Sequence, residues 1–183
     1  DLPLVGDHNI KNVLSALAIC HALGLPYEQL VDGIKTLKGL PHRCELVAVR
    51  DGVRFVNDSK GTNVGATVAA LEGLADGRNI ILIAGGEGKG QAFAPLAKAA
   101  LQHAKHTVLI GRDAVGIAEA FDATTPHTFA DSMEAAVRAA INIATSGDTV
   151  LLSPACASLD MFADYRARGE AFTTVVRDCE ELS

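Results

Sequence analysis

Seven residues of this chain, Asn57-Asp58-Ser59-Lys60-Gly61-Thr62-Asn63, bring together a carboxylate, an ammonium, two hydroxyls and two amides. They directly follow Val53-Arg54-Phe55-Val56, which reads as a strand, and precede a segment of helical character. Such groups at the mouth of a helix suit the recognition of a small charged ligand. A solvated turn would need only Thr62 or Asn63 as an N-cap, and capping alone leaves Asp58 and Lys60 unaccounted for.

Two further loops carry unusual content. Gly85-Gly86-Glu87-Gly88-Lys89-Gly90 follows the apolar run Ile80-Ile81-Leu82-Ile83-Ala84. Its glycines let the backbone approach a ligand, and Lys89 adds a positive charge. The segment is not a P-loop, because Ile83 stands where the first glycine belongs and Gly90 where Ser or Thr belongs. Dinucleotide-binding glycine spacing fails as well. Taken alone, this segment is equally an ordinary Gly-rich turn. The third loop, Ser153-Pro154-Ala155-Cys156-Ala157-Ser158, follows a strand ending at Leu152. It predicts a helix beginning near Ser158 with that serine as N-cap. A helix N-terminus offers free N–H groups and partial positive charge, which can hold a carboxylate.

Ligands of open α/β sheets bind beyond the carboxyl ends of the strands. Two lysines, hydroxyls and a helix N-terminus gathered there suit a small dianion such as a dicarboxylate. Nucleophilic catalysis is not indicated: the six histidines are scattered, and no Ser or Cys has an obvious base partner. No metal-ligand spacing is present, and His8 and His42 read as structural or nucleotide-facing. By itself the chain reads as a binding domain.

The elements that must position these loops follow from periodicity. Residues 9–24 read as a helix, with Val13, Leu14, Leu17, Ala18 and Leu23 at helical spacing and Gly24 as the stop. A shorter helix runs from Pro26 to about Thr36. Gly39-Leu40-Pro41 then breaks the pattern, and we place a domain boundary there, with residues 1–41 as the helical tail of a preceding domain. Residues 42–183 alternate strand and helix. Strands 45–50 and 53–57 flank Asp51-Gly52, a hairpin turn. Further strands are predicted at 79–84, 106–110, 126–129 and 148–152, with helices at 64–75, 93–103, 113–121, 131–144 and 159–177. Asp131 with Glu134 forms a capping-box pattern. The fold class is α/β: a Rossmann-like, open, mainly parallel sheet with helices on both faces and one antiparallel hairpin strand, preceded by two helices.

Composition is consistent with this. Of 183 residues 49% are hydrophobic, mean hydropathy is +0.22, aromatics make up 4% and Trp is absent, so Ala, Val, Leu and Ile must build the core. With 22 acidic residues against 16 Lys and Arg, the net charge is −6, which argues against a nucleic-acid partner. Cys20, Cys44, Cys156 and Cys179 show neither metal nor redox spacing. No apolar run approaches the ~20 residues needed to span a membrane, and Asp1 to Asn9 lacks the pattern of a signal peptide. A cytoplasmic location without membrane insertion is expected. The chain starts at Asp rather than Met, as an excised fragment would.

The three loops, in this order and spacing, resemble the C-terminal domain of the Mur ligase family, and Ser153 to Ser158 resembles its D-glutamate-adding branch. Gly6-Asp7-His8-Asn9-Ile10-Lys11-Asn12 resembles the end of the family's central domain, and Leu40-Pro41-His42-Arg43 its domain junction. The Asp-Asn-Pro-Arg signature of the diaminopimelate- or lysine-adding branch is missing. The resemblance implies an ATP-dependent ligase of peptidoglycan precursor synthesis. In that reaction ATP and Mg²⁺ convert UDP-N-acetylmuramoyl-L-alanine to an acyl phosphate, which the amine of D-glutamate attacks. Residue by residue, it implies Asn9 and Asn12 on the adenine side, Arg43 towards the phosphates and Asp58 on the ribose hydroxyls. Thr62 and Lys89 would hold the α-carboxylate of D-glutamate, while Ser158 and the Tyr165 backbone would hold the γ-carboxylate. Lys60 lies in the motif without an assigned contact. Gly61 stands where the family commonly has Ala, Glu87 where it has Asp, and Tyr165 where it has Phe. No catalytic residue is expected within these 183 residues, which lack the family's P-loop, Mg²⁺ ligands and UDP-binding domain, so the chain alone should be inactive. Two alternatives stay open: a folylpolyglutamate-synthase-like ligase domain, and a non-catalytic Rossmann-like binding module.

Overall fold

A computed structural model describes residues 7–36 and 39–179, with side chains from residue 10 onward. Two helices, α1 (Asp7–Ala22) and α2 (Tyr27–Lys35), open the described chain. Gly24, at φ 81°, ends the first of them. Val13 of α1 is buried, but α2 buries none of its residues. Ile10, Leu14, Ile19, Leu23, Leu25 and Tyr27 all stand exposed.

The remainder forms one six-stranded sheet. The hairpin of β1 (Glu45–Arg50) and β2 (Val53–Asn57) turns at Asp51-Gly52, both in the left-handed region. After it come α3 (Val64–Leu74), β3 (Ile80–Gly85), α4 (Ala94–His103), β4 (Ala104–Ile110), α5 (Ala114–Ala120), β5 (His127–Phe129), α6 (Met133–Ile143), β6 (Thr149–Leu152) and α7 (Tyr165–Asp178). The strand order is β1-β2-β6-β3-β4-β5, antiparallel at β1–β2 and parallel elsewhere. The α/β sheet with one antiparallel hairpin strand thus agrees with the expected class.

Every β3 residue is buried because both faces of the sheet are covered. Ile80, Leu82 and Ala84 pack with Leu71 of α3, Leu96 of α4 and Ile117 of α5. Ile81 and Ile83 face the other way, against Ala136 and Val137 of α6 and Phe172 of α7. The helix after β6 therefore lies on the opposite face from those after β2 and β3. β6 sits between these two strands, so the chain's direction of crossover reverses on either side of it. Crevices form at such reversals.

Two expectations need correction. Asp131 does not cap α6: Ser132 does, its Oγ accepting from Ala135 N at 3.1 Å, while Glu134 pairs with Arg138. One residue's shift places the shorter serine side chain at the helix start. The last helix begins at Tyr165 rather than near Ser158, with Asp164 as its cap. Residues 158–162 make a single turn, in which the Ser158 carbonyl accepts from Met161 N (3.1 Å) and Phe162 N (2.8 Å). That turn does not continue, so Ser158 is not the cap of a long helix.

Candidate functional site

The carboxyl ends of β2, β6 and β3 lie side by side, with Asn57 opposite Leu152 and Leu152 opposite Ile83. The three loops predicted to matter therefore emerge together, and they are stitched to one another. Gly61 O accepts from Ala155 N at 2.9 Å, and Ser153 Oγ donates to Asp58 Oδ2 at 2.7 Å. Four successive carbonyls of the β6 loop are all taken. Pro154 O accepts from Gly85 N (2.8 Å), Ala155 O from Gln91 Nε2 (2.7 Å), Cys156 O from Arg168 Nη1 (3.1 Å) and Ala157 O from Glu87 N (2.9 Å). These bonds hold Ala155 at φ 60°, a conformation non-glycine residues rarely keep without such support. A Cβ on Gly86 would overlap the Ala157 carbonyl, so the glycine is required for the close approach.

Within the Asn57–Asn63 loop the polar groups divide by direction. Asn57 and Ser59 are fully buried and act as scaffold. Asn57 Nδ2 donates to Gly169 O (3.0 Å) and Thr173 Oγ1 (3.2 Å), and Ser59 Oγ donates to Tyr165 O (2.7 Å). Lys60 and Thr62 are partly exposed, and Asn63 caps α3 by accepting from Ala66 N at 2.9 Å. Asp58 is 7% exposed, and its Oδ1 accepts from Cys44 N at 3.2 Å.

Two clefts open beside these loops. The first, of about 230 Å³, is bounded by Asn12, Arg43, Asp58 and Lys60, with Ala66, Ala69 and Ala70 of α3 as an apolar wall. Three of the four residues expected near a nucleotide thus share one cleft. The fourth, Asn9, has its side chain outside the described residues, as has His8. The second cleft, of about 650 Å³, is lined by His42, Arg43, Lys60, Tyr165, Arg166 and Glu170. Lys60 Nζ lies 4.0 Å from the centre of the Tyr165 ring, a cation–π contact.

Thr62, Lys89 and Ser158 line neither cleft. Lys89 is exposed and left-handed at φ 53°, whereas Ser158 is buried to 4% exposure. Tyr165 is the first residue of α7, and Asp164 Oδ1 caps the N–H groups of Arg166 and Ala167 but not that of Tyr165. The helix N-terminus expected at Ser158 is therefore found at Tyr165.

Burial holds the Cys156 thiol up at about 12 and raises that of Cys44 still further, helped there by Asp58. Both remain protonated thiols at neutral pH and neither is a nucleophile. Among the described residues no three His, Cys, Asp or Glu side chains converge to hold a metal. None of the helices is long and apolar enough to cross a membrane, within the same residues.

Sequence reasoning missed two side chains that assemble this edge. Gln91 accepts from Val64 N at 3.0 Å while donating to Ala155 O, tying the glycine loop to α3 and to the β6 loop. Arg168, 1% exposed, donates from Nε to Ser59 Oγ (3.0 Å), from Nη1 to Cys156 O and from Nη2 to Ser59 O (2.9 Å). Its signal in the sequence is position: Arg168, Phe172 and Val176 recur at helical spacing on one buried stripe.

Similarity to known proteins bears on this geometry. The chain is 52% identical over 177 residues to UDP-N-acetylmuramoylalanine–D-glutamate ligase of Nitrosococcus oceani, covering 97% of this chain and 39% of that protein. It is 53% identical over 177 residues to the ligase of the same name from Marinobacter nauticus, covering 96% and 40%. The chain thus spans about two fifths of the length of these relatives. The structure of Mycobacterium tuberculosis folylpolyglutamate synthase complexed with ADP matches with a TM-score of 0.69 at 18% identity, covering 97% of this chain and 42% of that one. A pseudomurein peptide ligase type C from Methanothermus fervidus gives 0.69 at 16%, covering 97% and 37%. These two show a shared fold. The profile described as "Mur ligase, glutamate ligase domain" matches residues 42–156, more than half of the chain, which therefore belongs to the Mur ligase family.

Proposed function

We propose that this chain is the amino-acid-binding part of an ATP-dependent ligase that adds D-glutamate to UDP-N-acetylmuramoyl-L-alanine in the cytoplasm. The observation that carries the reading is the convergence of the β2, β3 and β6 loops on one sheet edge, in a chain half-identical to relatives bearing that activity in their names. Residues 42–183 form the amino-acid-binding domain and residues 1–41 the tail of a preceding ATP-binding domain. The exposed apolar side chains of α1 and the unburied α2 support that division, as does a family match that begins at residue 42. Gly39 to Pro41 is the hinge on which the two would close.

The first cleft fits part of a nucleotide. Its alanine wall suits a purine face, Asn12 and Asn9 serve the adenine side, Asp58 the ribose hydroxyls and Arg43 the phosphates. ATP supplies the phosphoryl group that activates the carboxylate of the sugar substrate. The described residues offer no ligand set for Mg²⁺, so no step assigned to this chain passes through it. Its task is to bind and orient the amine that attacks. Lys89 and Thr62 hold the α-carboxylate of D-glutamate. Ser158 and the Tyr165 N–H, at the positive end of α7, hold the γ-carboxylate. Two carboxylates fixed at both ends leave the amine a single approach to the acyl phosphate, and such orientation supplies much of a rate enhancement. Lys60, held over the Tyr165 ring beside both clefts, adds positive charge.

Steady-state ligation by the full-length protein with D- and with L-glutamate tests the reading. Turnover with the D isomer alone is expected. Turnover with L-glutamate, or on a folate substrate, would favour a folylpolyglutamate-synthase-like enzyme, the kinship its fold leaves open. The 183-residue chain alone should hydrolyse no ATP, since no phosphate-clamping motif lies in it. ATP hydrolysis that a substitution inside this chain abolishes would contradict that assignment.

A further inference from the structure

Arg168 carries a charge that the chemistry above leaves unused. Burial pulls its pKa down only to about 10, so the guanidinium is protonated at neutral pH. Its three hydrogen bonds all go to neutral acceptors, two on Ser59 and one on Cys156. Among the described residues it makes no ion pair. The carboxylate of Asp160 acts on it only through space; a buried cation without a directly bonded carboxylate is costly to keep, and apolar side chains of similar volume often serve stability as well or better. Gln91 shows that a neutral side chain can tie the same loop, through the adjacent carbonyl of Ala155. The charge at position 168 therefore needs a reason beyond holding the loop.

Its location supplies one. Ser59 lies three residues before Thr62, Cys156 two before Ser158, and Arg168 three after Tyr165. Ser59 Oγ, which accepts from Arg168, also donates to the Tyr165 carbonyl, closing a circuit through the first turn of α7. We infer that Arg168 is the positioning residue of the amino-acid pocket. It locks the β2 and β6 loops and the start of α7 in one register, and its charge adds to the positive potential that an arriving dicarboxylate amino acid meets. This inference rests on the glutamate reading.

The test measures KM for D-glutamate, KM for ATP, kcat and Tm in the full-length protein with Arg168→Gln, which keeps hydrogen-bonding groups without charge, and Arg168→Lys, which keeps charge without the planar fork. Arg168→Gln should raise KM for D-glutamate about tenfold or more, as loss of a charged interaction does, and move KM for ATP less than about twofold. Arg168→Lys, the milder change and the one expected to fold regardless, should retain most of the D-glutamate affinity yet lose kcat, because the loops are no longer in register. Millimolar guanidinium should restore part of the activity of Arg168→Gln. A drop in Tm with D-glutamate kinetics like the parent's, or a parallel rise in both KM values, would make Arg168 a purely structural residue and overturn the inference. A parent protein that shows no D-glutamate-dependent turnover would instead sink the glutamate reading itself.

Discussion

Asp58 and Lys89 carry opposite structural signatures, and these set what their removal should do. Asp58 is buried and already bonded to Cys44 N and Ser153 Oγ, whereas Lys89 is exposed on a glycine loop in a left-handed conformation. Lys89→Ala should leave stability within about 0.5 kcal/mol. If its ammonium meets the α-carboxylate, the loss is about 1.5–3 kcal/mol, or roughly 10- to 150-fold in the D-glutamate requirement. Lys89→Arg should not fully restore it, the guanidinium being larger and flatter. Asp58→Ala should do the reverse in steady-state kinetics, weakening ATP more than D-glutamate. It should also cost about 1–3 kcal/mol of stability by stripping Cys44 N of an acceptor, a consequence visible only in the structure. Unaltered D-glutamate kinetics in Lys89→Ala would reduce that lysine to a surface charge. At this scale the loops were legible because their residue types exceed what turns require. Arg168 and Gln91 were not, because their partners are mostly backbone groups of other loops, which no local pattern pairs with them.

Elements were legible where periodicity and punctuation agreed. The Asp51-Gly52 hairpin and the β3 run fall where the sequence puts them, since both rest on local signals. Boundaries failed where more than one residue could cap the helix. Asp131, Ser132 and Asp164 are all acceptable N-caps, and tertiary fit chose the last two. Residues 158–164 read as helical from Ser158, but the chain must first descend from the sheet edge before α7 can run along it. The cap reassignment is directly measurable. Ser132→Ala should cost about 1 kcal/mol in chemical denaturation, whereas Asp131→Ala should stay within about 0.5 kcal/mol. The opposite ranking would restore Asp131 as the cap.

For the molecule as a whole, the sheet order explains why the candidate loops emerge together, and a histidine with a shifted pKa stands away from them. On β4, burial holds the His106 pKa below 6.5, and the neighbouring His127 adds to the effect. A group whose pKa is depressed by folding stabilises the protein above its unfolded value and loses that contribution as pH falls through the folded one. Stability should therefore decline below about pH 6.5, and His106→Gln should flatten the decline in urea titrations between pH 7.5 and 5; an unchanged slope would assign it to other groups. The strand order itself was not legible, because placing β6 between β2 and β3 depends on non-local pairing that no local pattern encodes. That placement is what brings the three loops together. Amide chemical-shift mapping of the 183-residue chain tests the resulting claim most directly. D-glutamate should move the amides of Thr62, Lys89, Ser158 and Tyr165, and ADP those of Asn12, Arg43, Asp58 and Gly61, as two separable sets. Shifts from D-glutamate that fall away from the β2, β3 and β6 loops would contradict the account.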